Sequence, residues 1–137
     1  MSRIFISLEA HISVAGIVHD SIMKIEHETG VLETTDYTNT LDSIGIIVNC
    51  FDKEWIAFGK GKERKYINYK NRYADIRLLI PAEDLLAADK KERFLMVKNN
   101  IIESIRIIDE RLNKKKGCYF DGKRLIEYIE EKTKNLI

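Results

Sequence analysis

The sequence predicts a single α+β domain over residues 1–137, in which helices cover one face of a mainly antiparallel sheet of four to five strands. Apolar residues repeat with a period of two in several segments, which is typical of strands, and at helical spacing in others. The predicted order of elements is strand, helix, four strands and two helices. A hydrophobic content of 45% in 137 residues is enough for one sizeable core.

The first two predicted elements are a strand over residues 3–9 and a helix over 13–29. Three apolar residues of the strand fall on one face of a period-two pattern: Ile4, Ile6 and Leu8. Apolar residues then recur at helical spacing from Val14 to Ile25. Gly30 is a natural residue to end that helix, because glycine adopts the left-handed conformation that often follows a helix.

The middle of the chain predicts several strands. Residues 31–43 are rich in threonine and lack clear periodicity, so they predict a loop or an irregular edge strand. Residues 44–51 carry apolar side chains on both faces, as in a central strand. Residues 55–58 and 64–69 predict a hairpin about the intervening glycines. A further strand over 73–80 places Ile76, Leu78 and Ile80 inward and Tyr73, Asp75 and Arg77 outward, and it ends at Pro81, which cannot donate to a ladder.

Two helices are predicted at the end of the chain. Asp89 and Glu92 resemble a capping box that precedes a helix over 90–114. Six apolar residues of that helix follow one another at spacings of 3, 4, 4, 3 and 4: Phe94, Val97, Ile101, Ile105, Ile108 and Leu112. Asp121 is placed to cap a last helix over 122–136, whose apolar side carries Leu125, Ile129 and Leu136.

Charge is distributed unevenly along the chain, although the formal net charge is only +1. Residues 1–54 contain three basic and nine acidic residues, a net charge of −6, and the rest carries +7. Folding can either separate these charges into two surfaces or mix them, and the sequence leaves both outcomes open.

The acidic part suggests a partner-binding surface. From Glu26 to Glu54 there are seven acids and one base, with Tyr37 and Trp55 as aromatic residues that can anchor a partner. The candidate partner-binding residues are Glu26, Glu28, Glu33, Asp36, Tyr37, Asp42 and Trp55. The alternative is an acidic loop that only contacts solvent.

A basic segment over residues 60–72 offers a different interpretation. It contains six bases and one acid, and bases of this kind neutralise the phosphates of nucleic acids. The candidate nucleic-acid-binding residues are Lys60, Lys62, Arg64, Lys65, Lys70 and Arg72. In a strand, Tyr66 and Tyr69 would point to opposite faces and form no common stacking platform. A lysine-protected edge strand is therefore the favoured explanation.

The sequence predicts no catalytic residue, metal site or cofactor. His11, His19 and His27 recur every eight residues, and eight helical residues rise about 12 Å, too far for two imidazoles to share an ion. Gly59 and Gly61 lack the spacing of a phosphate-binding loop. The N-terminus has no secretion-signal pattern, and no apolar run approaches the about 20 residues that span a bilayer. We therefore expect a cytoplasmic protein without enzymatic activity or membrane contact.

Three segments together match the pattern of a known class of proteins: Tyr73-Ala-Asp-Ile-Arg-Leu-Leu-Ile-Pro81, Asp89-Lys-Lys-Glu-Arg-Phe94 and Asn100-Ile-Ile-Glu-Ser-Ile-Arg-Ile-Ile108. They resemble small bacterial immunity proteins, which are encoded beside polymorphic and contact-dependent-inhibition toxins. The opening Ile4-Phe-Ile-Ser-Leu-Glu9 fits the same pattern, so the resemblance covers about half of the chain. It carries over no site motif residue by residue.

The resemblance implies a protein that binds a cognate toxin domain tightly in the cytoplasm of the producing cell and blocks or distorts its active site. If the toxin is a nuclease, its phosphate-binding cleft is expected to be basic, and the acidic region would face it. The alternative, from another class, is a small nucleic-acid-binding regulator that uses residues 60–72.

Overall fold

The computed structural model describes most of the chain. The described residues are 2–39, 43–50, 57–58, 65–66, 74–114 and 122–136. Within them, side chains are described for 14–34, 43–50, 75–114 and 122–136.

Four helices and five strands form in these residues. The helices are α1 (Ser2–Thr29), α2 (Ala82–Ala87), α3 (Lys90–Asn113) and α4 (Gly122–Thr133). The strands are β1 (Leu32–Asn39), β2 (Ser43–Cys50), β3 (Ala57–Phe58), β4 (Lys65–Tyr66) and β5 (Ala74–Pro81). This composition confirms the α+β class.

The main sheet of the described residues has three antiparallel strands in the order β1-β2-β5. The predicted central position of β2 is confirmed. The short strands β3 and β4 pair antiparallel with each other, as a hairpin would, but they form a separate two-stranded sheet. The expected single sheet of four to five strands is therefore not confirmed. β2 pairs with the distant β5 instead of the next strand along the chain, and sequence patterns do not reveal such nonlocal pairing.

The predicted N-terminal strand over residues 3–9 is wrong, because α1 begins at Ser2 and continues to Thr29. Ile4 and Leu8 satisfy the four-residue spacing of a helix as well as the two-residue spacing of a strand. A run of seven residues is too short to separate these periods. The predicted end of the helix is confirmed, since Gly30 has a φ of 66° and its N–H donates to the Glu26 carbonyl oxygen at 2.6 Å.

The threonine-rich segment forms the edge strand β1, which was one of the two predicted outcomes for residues 31–43. Its register against β2 shifts between Thr34 and Asp36, where a β-bulge interrupts the ladder. This bulge explains why the segment lacks a clean alternation of polar and apolar residues.

The helices pack on one face of the main sheet, which we call the inner face. α1 contacts β1 and β2, and α3 contacts β5. Six inner-face residues of β2 and β5 are buried in one core with the apolar sides of the helices: Ile44, Ile46, Val48, Ile76, Leu78 and Ile80. The inward direction predicted for the β5 residues is confirmed.

The helix α3 agrees closely with its sequence pattern. The Asp89 side chain caps it by accepting a hydrogen bond from the Glu92 N–H at 2.9 Å. Four of the six predicted apolar positions are buried, and Ile108 and Leu112 pack half-buried against the same core.

The helix α4 begins in a way that the sequence did not reveal. Gly122 N–H donates to Asp109 Oδ1 on α3 at 2.8 Å, so a residue from another helix satisfies one of its first backbone donors. The predicted cap, Asp121, lies outside the described residues. The apolar face of α4 is as predicted, with Leu125 and Ile129 buried and Leu136, just past the helix, half-buried.

Candidate functional site

Three of the predicted acidic residues have described side chains, and they lie where α1 leads into β1. Glu28 and Glu33 are exposed, whereas Glu26 is half-buried. Residues two apart on a helix project about 200° from each other, so Glu26 and Glu28 lie on different sides of α1. The structure therefore does not gather all the predicted acids on one face. We call the exposed pair, Glu28 and Glu33, the acidic end.

The other four predicted partner-binding residues are not tested by side-chain geometry. Asp36 and Tyr37 lie in β1, with their backbones opposite Ile47 and Ile46, and their side chains lie outside the described part. Asp42 and Trp55 also lie outside it.

A further acid, Asp75, is positioned beside the acidic end. The register places Glu33 opposite Asn49 and Asn49 opposite Asp75, in one row across the face that points away from the helices. With neighbouring strands about 4.8 Å apart, the Glu33 and Asp75 backbones are about 10 Å apart. Both side chains are exposed, as predicted for Asp75. Strand pairing was needed to bring these two residues together.

The outer face of the sheet also carries apolar surface. Leu79 in β5 is 60% exposed, and Ile47 in β2 is half-buried. Arg77 lies opposite Ile47 and is exposed, as predicted. Arginine is enriched in protein interfaces, and their buried centre is mainly apolar.

The basic segment 60–72 lies almost entirely outside the described residues. Lys65 and Tyr66 are the exceptions, and their backbones pair with Phe58 and Ala57 in the short sheet of β3 and β4. The remaining candidates, Lys60, Lys62, Arg64, Lys70 and Arg72, are not described. The nucleic-acid interpretation therefore stays a prediction.

A cleft of about 370 Å³ opens between α1 and the beginning of α3. We call it the basic cleft, because three of its lining side chains are bases and one is an acid. Its lining residues are Ile17, Asp20, Ser21, Lys24, Lys90, Arg93 and Phe94. The spacing of Lys90 and Arg93 on one helix is visible in the sequence, but their proximity to Lys24 depends on the packing of α1 against α3.

A second groove, of about 390 Å³, lies between α3 and α4. It has mixed charge, with two bases, three acids and one isoleucine: Arg106, Lys123, Asp109, Glu110, Glu127 and Ile126. Asp109 already accepts the Gly122 N–H. This groove is therefore partly used in joining the two helices.

Two features are absent from the described residues. These residues contain no group of three or more His, Cys, Asp or Glu side chains arranged to hold a metal ion. Within the same residues, no helix has both the length and the apolar character required to span a bilayer.

Together, these features define a small α+β protein whose charged residues line open surfaces and an open cleft. The family model described as Immunity protein 44 matches residues 2–134, which is nearly the whole chain. The chain therefore belongs to the Immunity protein 44 family, one of the bacterial immunity protein families of toxin systems. This finding confirms the resemblance predicted from the sequence. No curated protein and no solved structure matches the chain.

Proposed function

We propose that this protein is an antidote that binds a cognate toxin domain, with a nuclease as the favoured toxin, and neutralises it in the cytoplasm of the producing cell. The family match over residues 2–134 carries this proposal, since immunity proteins bind a cognate toxin. Systems of polymorphic or contact-dependent-inhibition toxins are the proposed setting.

The nuclease part of the proposal rests on charge. A nuclease must attract phosphates, so its substrate cleft is expected to be basic, and an acidic surface on the inhibitor would compete for it. Glu28 and Glu33 are exposed at the acidic end. Asp75 is exposed in the same row of the sheet as Glu33, two strands away. Three acids of this kind can steer a basic partner and fix its orientation.

The mode of action that we propose is occlusion of the toxin's active site. The outer face of the sheet also carries Ile47, opposite Arg77, and Leu79, about 13 Å along β5 from Asp75. These residues give the surface apolar contact area as well as charge. Affinity in protein complexes comes mainly from a few well-packed contacts, while charge contributes more to speed and specificity.

Association kinetics with the purified toxin domain test this proposal. We expect the gene immediately upstream to encode the toxin, whose last domain is the probe. The variant carries Glu28→Lys and Glu33→Lys, and its association rate should fall about tenfold at about 0.01 M salt, because steering is lost. At about 1 M salt, where the screening length is about 3 Å, the difference should nearly disappear.

The single variant Glu28→Lys is measured as well, and Glu130→Lys is its matched control, since each replaces one acid by one base. Glu130 is an exposed acid in the last turn of α4, as Glu28 is in the last turn of α1, so both substitutions place a base at a helix end that favours positive charge. The control should change the association rate by less than about twofold. Equal rates for the variant and the wild type at low salt would contradict the acidic surface. Absence of binding by the wild type would contradict the toxin assignment.

A further inference from the structure

The basic cleft has an apolar floor and charged walls. Phe94 is only 4% exposed and forms part of the floor with Ile17, and the bases Lys24, Lys90 and Arg93 stand around it. A site with a few polar groups above apolar residues is the usual form of a pocket that receives one side chain or small group.

Contacts within the protein hold two of the three bases in place. Arg93 Nε donates to the carbonyl oxygens of Leu85 and Ala88, at 3.0 and 2.7 Å, and so joins the end of α2 to α3. Lys24 Nζ lies 5.8 Å from the centre of the Phe94 ring and donates to the Leu136 carbonyl oxygen at 3.3 Å. Positioning these charges in advance lowers the entropy lost when an anion binds.

The positive charge of the cleft is only partly offset within the described part of the protein, since three bases and one acid, Asp20, line it. No ion pair joins Lys24, Lys90 or Arg93 to a carboxylate there. An excess of bases around an apolar floor favours an incoming carboxylate.

Acids on either side restrict the size of the anion that fits. Asp20 and Glu28 lie four residues before and after Lys24 on α1, so both are neighbours of Lys24 on the helix surface. An extended phosphate chain crossing this site would meet both carboxylates, whereas one acidic side chain would meet three bases and the single acid of the lining, Asp20. The arrangement therefore favours a protein partner over a nucleic acid.

We propose that the basic cleft receives an aspartate or glutamate side chain from the cognate toxin, as a second contact beside the acidic end. This inference rests on the proposed function. Lys24 and Glu28 are one helical turn apart, so α1 presents adjacent patches of opposite charge to the partner. Two patches of opposite sign define a single orientation of the complex, since a rotated toxin would place like charges together.

Two neighbouring lysines give a matched test. Lys90 lines the cleft and Lys91 does not, and both are exposed in the first turn of α3. Lys90→Glu and Lys91→Glu make the same charge change at the helix end that favours acids, so both variants should fold and melt alike. The probe is the toxin domain encoded immediately upstream, with calorimetry and surface plasmon resonance as measurements.

Lys90→Glu should raise the Kd at least about tenfold, mainly through faster dissociation, because the toxin carboxylate would then face a like charge. Lys91→Glu should stay within about twofold of the wild type, and Lys90→Gln should fall between the two. Equal effects of Lys90→Glu and Lys91→Glu, with tight binding by the wild type, would overturn the cleft contact and leave the proposed function standing.

Two other outcomes would also contradict the proposed cleft contact. If the wild type does not bind the toxin domain, both the proposed function and the cleft contact are wrong. If the wild type binds a random RNA oligonucleotide with a steep salt dependence that Lys90→Glu removes, the cleft binds nucleic acid and the inference is overturned.

Discussion

The two faces of the main sheet are built from alternating residues of the same strands, yet their surroundings differ sharply. On the inner face, Ile46 and Leu78 are at most 1% exposed beneath α1 and α3. On the outer face, the next residue along β5, Leu79, is 60% exposed, and its neighbour Arg77 is also exposed. Along β5, one residue thus separates the core from exposed surface, whereas on the central strand β2 the outer-face residue Asn49 is only 4% exposed.

This contrast shows how the protein can separate stability from recognition. Inner-face residues are constrained by close packing, so most changes there weaken the fold. Glu33 and Leu79 on the outer side are less constrained by packing, because their side chains are exposed. A change of toxin partner can therefore be met by changing surface residues without rebuilding the core.

Adjacent leucines test the contrast with the largest expected effect. Leu78→Ala should lower the free energy of unfolding by about 2–5 kcal/mol, because it leaves a cavity in the core. Leu79→Ala should change it by less than about 1 kcal/mol, since that side chain is exposed. Urea unfolding followed by circular dichroism measures both. Similar losses for the two variants would contradict the separation of the faces.

Two helical glycines extend the contrast to the helices, with a smaller effect. A Cβ at Gly122 would lie 2.5 Å from Asp109 Cβ, close to the α3 backbone. Gly122→Ala should therefore lower the free energy of unfolding by about 1–3 kcal/mol. Gly16 lies in α1, and a Cβ there would have no contact within 4 Å. Gly16→Ala should therefore raise the free energy of unfolding by about 0.5–1 kcal/mol.

The same unfolding experiment measures both glycine variants. The changes in the free energy of unfolding should have opposite signs, because Gly122→Ala disturbs a contact between helices and Gly16→Ala only improves helix propensity. A gain in stability from Gly122→Ala would show that α4 does not begin against Asp109 as described.

Local patterns were sufficient where an element is long or has a distinct end. The α3 helix, its Asp89 cap and the inward residues of β5 follow directly from spacing. Patterns failed for residues 3–9, because a short apolar run fits both a strand and a helix. Within such a run, only tertiary packing decides between the two.

The candidate surfaces depended more on tertiary structure. Charge counting pointed to Glu28 and Glu33, but it could not show that Glu26 lies on another side of α1. The strand pattern directed Asp75 outward but did not place it in one row with Glu33, because that depends on pairing through β2. The sequence also missed the basic cleft, which forms only when α1 packs against α3. Knowing which residues form helices and strands does not reveal the row that joins Glu33 to Asp75 or the packing of α1 against α3.

Titration of the purified toxin domain with this protein is the most direct test of the claim that it acts by binding. Toxin activity, measured as nucleic-acid cleavage if the toxin is a nuclease, should fall in proportion to the protein added and reach the baseline near one molecule per toxin. Full activity in the presence of excess protein would contradict binding to this partner. Loss of activity at far lower ratios would show catalytic turnover by this chain instead of occlusion.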